Sequence, residues 1–189
     1  MLSTVSVHTV RRSFWLTGLM AIGLSLAQSA TLERLTLDEM IGKSTAIFRG
    51  RVTGSTAAMR GTIIYTSYSI QVTELFKGPA QSYVTVAVPG GVANSRRQTF
   101  PGAPEFKAGD DFVFFLWTGK SGITQVIGLT QGLFRLSAST AGDAVATRPA
   151  SAELMLDRAT GQPVKDQAMV MNLSDLRAHI ASVLGAGAR

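Results

Sequence analysis

Two alternating apolar runs meet at a Lys-Gly-Pro in residues 72–91, VTELFKGPAQSYVTVAVPGG. Proline has no amide hydrogen to donate to a β-ladder and glycine permits a positive φ, so strand structure should end at Gly78-Pro79. Alternation then resumes, with Val84, Val86 and Val88 on one face. The stretch is therefore predicted to turn the chain between two strands rather than to carry chemistry.

Further runs of the same kind predict a mainly β chain. The predicted strands cover 46–54, 62–76, 82–88, 110–117, 122–128 and 132–139, with a hairpin return at 145–148. Between them, polar turns are expected at 56–61, 140–144 and 156–166, and a long loop at 89–106. Residues 110–117, DDFVFFLW, become apolar on both faces, so this strand is expected to be covered on both sides up to Trp117.

Two helices are predicted at the ends of this β region. Thr36 and Glu39 fit a capping box for a short helix over 37–43. A second helix is expected over about 172–184, with Asn172 as its cap and an apolar stripe that should pack on the β domain. The stripe consists of Leu173, Leu176, Ile180, Val183 and Leu184.

The N-terminus has the three parts of a secretory signal. Arg11 and Arg12 precede an apolar run, Phe14–Ala27, that is shorter than the roughly 20 residues needed to span a bilayer. We expect cleavage after Ala27, with nearby alternatives after Ser29 and Ala30, and an uncleaved anchor as the competing interpretation. The pair of arginines leaves the general secretory and twin-arginine routes both open.

Removal of residues 1–27 would leave 28–189 as a single β-barrel domain, exported to the periplasm or the exterior and without stable membrane insertion. The sequence contains no cysteine, which excludes disulfides, thiolate catalysis and zinc–thiolate sites. The formal net charge is +6, but the basic residues are scattered, so nucleic acid is not an expected partner.

No residue set predicts catalysis, a cofactor or a metal site. His179 is the only histidine outside the predicted signal, and no Gly-x-Ser-x-Gly is present to display a serine nucleophile. WTGKSG lacks the first glycine of a phosphate-binding loop, because Phe114 occupies that position. An alternative is a hydrolase that uses carboxylates from separate strands. Its candidates are Glu74, Glu105, Asp110 and Asp111.

Two arginine pairs are the candidate partner-binding residues. Arg49 and Arg51 share the outward face of the first strand, and Arg96 and Arg97 lie in the long loop. Such pairs can bind an acidic partner or an anionic envelope polymer. They can also be solvated charges that keep strand edges from aggregating.

The order STAIFRGRVTG, QVTELFKGP, YVTVAVPGG and FKAGDDFVFFLW resembles the netrin-like module, the OB-fold domain of tissue inhibitors of metalloproteinases, over about residues 44–117. It is also similar to a group of bacterial secreted proteins with the same blocks. Gly50, Phe76-Lys77-Gly78 and Gly109 occupy the positions that carry the resemblance. The inhibitors act through an N-terminal cysteine that this chain lacks, so the resemblance implies a fold and no active residue.

We therefore expect a small closed or partly open OB-like β-barrel, with a short N-terminal helix and a C-terminal helix packed on it. An immunoglobulin-like sandwich is the alternative fold. The expected function is that of an exported, non-enzymatic binding module that recognises another extracytoplasmic protein. The carboxylate hydrolase and the envelope-polymer binder remain as alternatives, and the oligomeric state stays undetermined.

Overall fold

The computed structural model describes residues 31–139 and 142–187. The predicted signal over 1–27, its two arginines and its cleavage sites lie outside the described residues, as does part of the predicted turn at 140–144.

The protein is mainly β with two helices, as the sequence predicted. The helices are α1 (Leu37–Lys43) and α2 (Leu173–Ala186). The strands are β1 (Thr31–Glu33), β2 (Ala46–Arg60), β3 (Ile63–Lys77), β4 (Tyr83–Pro89), β5 (Gly91–Ala93), β6 (Arg96–Gln98), β7 (Asp111–Thr118), β8 (Thr124–Val126), β9 (Leu133–Ser137), β10 (Val145–Arg148), β11 (Leu154–Leu156), β12 (Pro163–Val164) and β13 (Met169–Asn172).

One antiparallel sheet contains most of these strands, in the order β13-β10-β9-β7-β2-β3-β4. β7 has two partners on one edge: its first half, Phe112–Phe114, pairs with β9, and its second half, Leu116–Thr118, pairs with β8. β1, β11 and β12 form a separate small sheet, and β5 pairs with β6 in a hairpin.

β4 and β8 are the strands that a closed barrel would join. Val86 and Val88 of β4 share an apolar cluster with Val126 of β8, and the two strands lie close together. No ladder connects them in the described part of the chain. The structure therefore shows a sheet-rich fold whose barrel is left open along this line.

Two apolar cores lie on the two faces of β7. Phe112, Phe114 and Leu116 point into the first core, between β2, β3, β4 and β8. Val113 and Phe115 point into the second, which α1 and α2 cover. The buried stripe of α2, with Leu176 and Ile180 at its centre, packs in this second core as predicted. Burial on both faces thus confirms the prediction for β7 as far as Leu116.

Several predicted boundaries were wrong. Of the polar turn expected at 56–61, residues 56–60 are strand, because β2 continues to Arg60 in register with β3, where Arg60 pairs with Ile63. The long loop at 89–106 contains the β5–β6 hairpin, whose Asn94 and Ser95 have φ values of 51° and 59°, as a two-residue hairpin turn requires. The sequence did not predict the short strands β1, β11, β12 and β13.

The Lys-Gly-Pro turns the chain, as predicted, and its lysine also holds a helix end. Gly78 has φ 101°, and a Cβ there would lie 2.9 Å from the Thr45 carbonyl oxygen. Lys77 Nζ donates to the carbonyls of Ile41 (2.8 Å) and Gly42 (3.0 Å), at the C-terminal end of α1. Burial lowers the pKa of Lys77. Its ammonium satisfies helix carbonyls that have no partner within the helix.

A buried ion pair fixes the segment between β10 and β13. Arg148 and Asp166 have side chains only 4% and 1% exposed, and two hydrogen bonds of 3.0 and 3.1 Å join them. Asp166 also accepts from the Ser151 amide at 2.8 Å. Burial raises the pKa of Asp166, but the Ser151 amide and Arg148 outweigh it, so the pKa of this carboxyl lies below its ordinary value.

Replacement of Gly50 by alanine should destabilise the protein, because the new Cβ would lie 2.7 Å from Ile70 Cγ2 and 2.8 Å from the Gln71 carbonyl oxygen. We expect Gly50→Ala to lower the free energy of unfolding by about 1–3 kcal/mol in urea denaturation. Gly54→Ala is the matched control in the same strand, since nothing lies within 4 Å of its added Cβ. Equal stability of the two variants would contradict the packing described here.

Asp166→Asn should leave the Arg148 charge buried without its counter-ion and lower the free energy of unfolding at pH 7 by about 3–5 kcal/mol. A carboxyl with a lowered folded pKa stabilises the fold above its unfolded pKa, about 3.9, and loses that contribution as pH falls through the folded value. Denaturation curves should therefore show the gap between wild type and variant closing below about pH 4. Glu74→Gln, at the exposed pair with Arg177, should change stability by no more than about 1 kcal/mol.

Candidate functional site

The first predicted arginine pair lines an open polar cleft. Arg49 and Arg51 project from the outer face of β2, as the alternation predicted, and α2 adds Arg177 beside them. Asp111 and Asp143 line the same space, which has a volume of about 570 Å³. These five residues define the arginine cleft. Sequence reasoning missed Arg177, because nothing in the chain pattern places α2 next to β2.

Two of the three arginines in this cleft are tied to carboxylates. Arg49 donates to Asp111 through Nη2 (2.7 Å) and Nε (3.2 Å), and Arg177 donates to Glu74 through Nε (2.7 Å) and Nη2 (3.0 Å). The hydrogen bonds that Arg49 donates to Asp111 raise the pKa of Arg49, and those that Arg177 donates to Glu74 raise the pKa of Arg177. The side chain of Arg51 is exposed and makes no hydrogen bond or ion pair with the described residues.

The second predicted pair lies on a different surface. Arg96 and Arg97 are exposed on β6, directly after the tight turn of the β5–β6 hairpin. Gln98 holds this hairpin against β3, since its side chain accepts from the Ile64 amide (2.6 Å) and donates to the Thr62 carbonyl (2.8 Å). The cavity that Arg97 lines shares no residue with the arginine cleft. The structure therefore does not bring the four arginines into one site.

The carboxylates of the hydrolase alternative do not line one common cavity. Asp110 accepts from Arg135 (2.9 Å) and from the Lys107 amide (2.9 Å). The hydrogen bond from Arg135 is the main cause that holds the pKa of Asp110 below its ordinary value. Glu105 lines the cavity beside Arg97, whereas Asp111 lines the arginine cleft. Asp110, Asp111 and Glu74 are thus each engaged by a different arginine.

Trp117 was predicted to be covered, and this prediction was wrong: the side chain is 48% exposed. Two adjoining cavities, of about 170 and 420 Å³, have Trp117, Ile127 and Gly128 in common. The other residues that line the two cavities are mostly apolar. They are Ala87–Pro89, Pro104, Gln125, Val126, Leu129, Leu32, Glu33, Leu35 and Lys43. We call this continuous surface the Trp117 groove.

Backbone geometry fixes the walls of the Trp117 groove. Gly119 lies under the indole, where an added Cβ would come within 2.9 Å of the ring. Leu129 adopts φ 57°, an unfavourable value for a bulky residue. Gln131 is fully buried and joins the two sides of the groove, since it accepts from the Leu35 amide (2.9 Å) and donates to the Glu33 carbonyl (3.0 Å). The groove is therefore held by specific contacts rather than left by loose packing.

Two cations lie at the turn that follows Trp117. Lys120 is part of this turn, and Arg60 donates to its Ser121 carbonyl at 3.1 Å. Neither cation has a carboxylate partner among the residues the structure describes. The charged residues that line the groove itself, Lys43 and Glu33, are paired at 3.0 Å. A ligand that extends from the groove onto this turn would therefore meet positive charge there.

Comparison with known proteins adds no family to this description. No family model, no curated protein and no solved structure matches the chain. The netrin-like resemblance therefore stays a prediction from the sequence blocks. Within 31–139 and 142–187, no helix is long and apolar enough to cross a membrane, and no three His, Asp or Glu side chains form a group that could hold a metal ion.

Arg49→Gln should lower the free energy of unfolding by about 1 kcal/mol, because it breaks a half-buried bidentate pair and leaves Asp111 unpaired. Arg51→Gln and Arg96→Gln, which lose no contact to the described residues, should stay within about 0.5 kcal/mol of wild type. Urea denaturation of the three variants checks this. A loss at Arg51 as large as that at Arg49 would show that Arg51 has a structural partner.

Proposed function

We propose that the protein is an exported binding module that recognises an apolar, acid-flanked segment of another extracytoplasmic protein at the Trp117 groove. Export rests on the signal predicted over residues 1–27. The single observation that supports the binding role is a half-exposed Trp117 set between two apolar cavities.

An exposed tryptophan in this setting favours protein recognition. Tryptophan is enriched among the residues that dominate binding energy, because its large surface is desolvated at little cost in conformational entropy. Most exposed apolar side chains of a soluble protein stand singly and need no functional explanation. Trp117 differs from Tyr83, an equally exposed aromatic residue that lines neither of the two cavities, because a ligand side chain could fill the space on both sides of the indole.

The surrounding charge defines the partner further. The groove walls are apolar, so the central part of the ligand should be apolar as well. Lys120 and Arg60 favour a carboxylate next to that apolar part. A segment with two or three large apolar residues followed by Asp or Glu meets both requirements.

The alternative functions draw less support from the geometry. The carboxylates of the hydrolase alternative line no common cavity, and three of them are held by different arginines. An envelope polymer would need a continuous basic track, but Arg49 and Arg51 line one cavity and Arg97 another. A protein ligand at the Trp117 groove needs neither arrangement.

Selection of phage-displayed random peptides on the immobilised full chain tests the proposal. The selected peptides should carry large apolar residues next to Asp or Glu. Fluorescence anisotropy with a labelled synthetic copy should give a Kd in the micromolar range, and Trp117→Ala should weaken binding at least tenfold, a loss of about 1.4 kcal/mol. Lys120→Glu should weaken binding several-fold, and the loss should shrink as salt screens the charge.

Tyr83→Ala is the control, because it removes an aromatic side chain of similar exposure (56%) outside the groove. This variant should bind within twofold of wild type. The proposal fails if no such peptides are selected, or if the selected peptides bind Trp117→Ala as tightly as wild type.

A further inference from the structure

The arginine cleft contains one arginine, Arg51, that has no carboxylate partner among the described residues, although its three arginines and the carboxylates Asp111, Asp143 and Glu74 carry no net charge together. Its carboxylates are committed: Asp111 to Arg49, and Asp143 to the Ser174 amide at 3.1 Å. Glu74, which engages Arg177, is committed as well. Arg51 lines the cleft without a carboxylate among the described residues.

Both paired arginines keep donors free. Arg49 and Arg177 each use Nε and Nη2 to hold their carboxylates, so Nη1 of each makes no hydrogen bond to another described residue. The bidentate pairs fix the guanidinium planes, so these side chains would lose little conformational entropy when a ligand binds. A ligand in the cleft therefore meets Arg51 and two oriented arginines on elements that are distant in sequence.

Charge balance selects the kind of ligand. The three arginines are balanced by Asp111, Asp143 and Glu74, and these carboxylates repel each negative charge that a ligand brings. A doubly charged phosphate monoester is therefore repelled more strongly than a singly charged group. A group with one negative charge and two oxygens, such as a carboxylate or a phosphodiester, uses the free arginine donors with the least repulsion.

We propose that the arginine cleft binds a single oxyanion group of the carboxylate or phosphodiester kind, with Arg51 as its main charge partner and Arg49 and Arg177 as oriented donors. This site is separate from the Trp117 groove and does not depend on the protein-binding role. The groove and the cleft share no lining residue.

Titration of the full chain with two small probes tests this site. ¹H–¹⁵N spectra that include the arginine Nε–H signals would be recorded with sodium N-acetylglycinate, a carboxylate, and with sodium diethyl phosphate, a phosphodiester. Sodium chloride keeps the ionic strength constant, so general screening does not change. We expect saturable shifts at Arg51 and Arg177 in the millimolar range for at least one probe, and the tighter probe identifies the source of the oxyanion.

Arg51→Gln should weaken that binding at least fivefold, and Arg51→Lys, which keeps the charge but loses the planar fork, should fall between Arg51→Gln and wild type. Arg96→Gln and Arg97→Gln are the controls and should bind like wild type, because both residues lie outside the cleft. Trp117→Ala should also bind the probes normally, which separates this site from the groove. Shifts that do not saturate, or that survive Arg51→Gln unchanged, would overturn the proposal.

Discussion

The burial of β7 on both faces is the constraint on which the two halves of the molecule depend. Phe114 contributes to the core between the sheet strands, and its neighbour Phe115 contributes to the core beneath the helices, each with no exposed surface. A single strand therefore joins both cores, and neither can form without it. The two edge partners of β7 also meet along its length, with β9 at Phe112–Phe114 and β8 from Leu116 onward. Trp117 is the residue at which this double cover ends, so the strand that is buried on both faces positions the exposed indole.

The alternation of apolar residues was enough to predict the long strands, because each of them buries apolar side chains along part of its length. It failed where pairing rather than burial creates a strand. Residues 56–60, TAAMR, show no alternation of apolar and polar residues, yet they form a strand because they pair with β3. β1 and β13 have only three and four residues, too few for a period to be recognised. Each of them depends on a strand that is not its neighbour in chain order, β11 for β1 and β10 for β13.

The site was predictable only to the extent that it lies on one strand. Residues two apart in a strand point to the same face, so Arg49 and Arg51 share a face in any fold that keeps this strand, and both line the arginine cleft. Arg177 joins them through a contact with Glu74 that spans 103 positions, and no local pattern contains that information. The exposure of Trp117 was predicted wrongly for a different reason. A continuous apolar run indicates cover on both sides, but the run does not show at which residue the covering elements stop.

The paired cations of this protein hold its fold together, whereas the unpaired ones lie at surfaces where a ligand could bind. Lys77, Arg148 and Arg177 are each held by carbonyls or carboxylates, and each joins a helix or a loop to the sheet. Arg51 and Lys120 have no such partner among the described residues, and they lie beside a cleft and a groove. Charges that hold the fold cannot be offered to a ligand without a loss of stability, whereas unpaired charges can be neutralised by a ligand at no structural cost. The unpaired cations therefore mark the surfaces where an acidic partner gains the most, although they are the least informative residues for the fold.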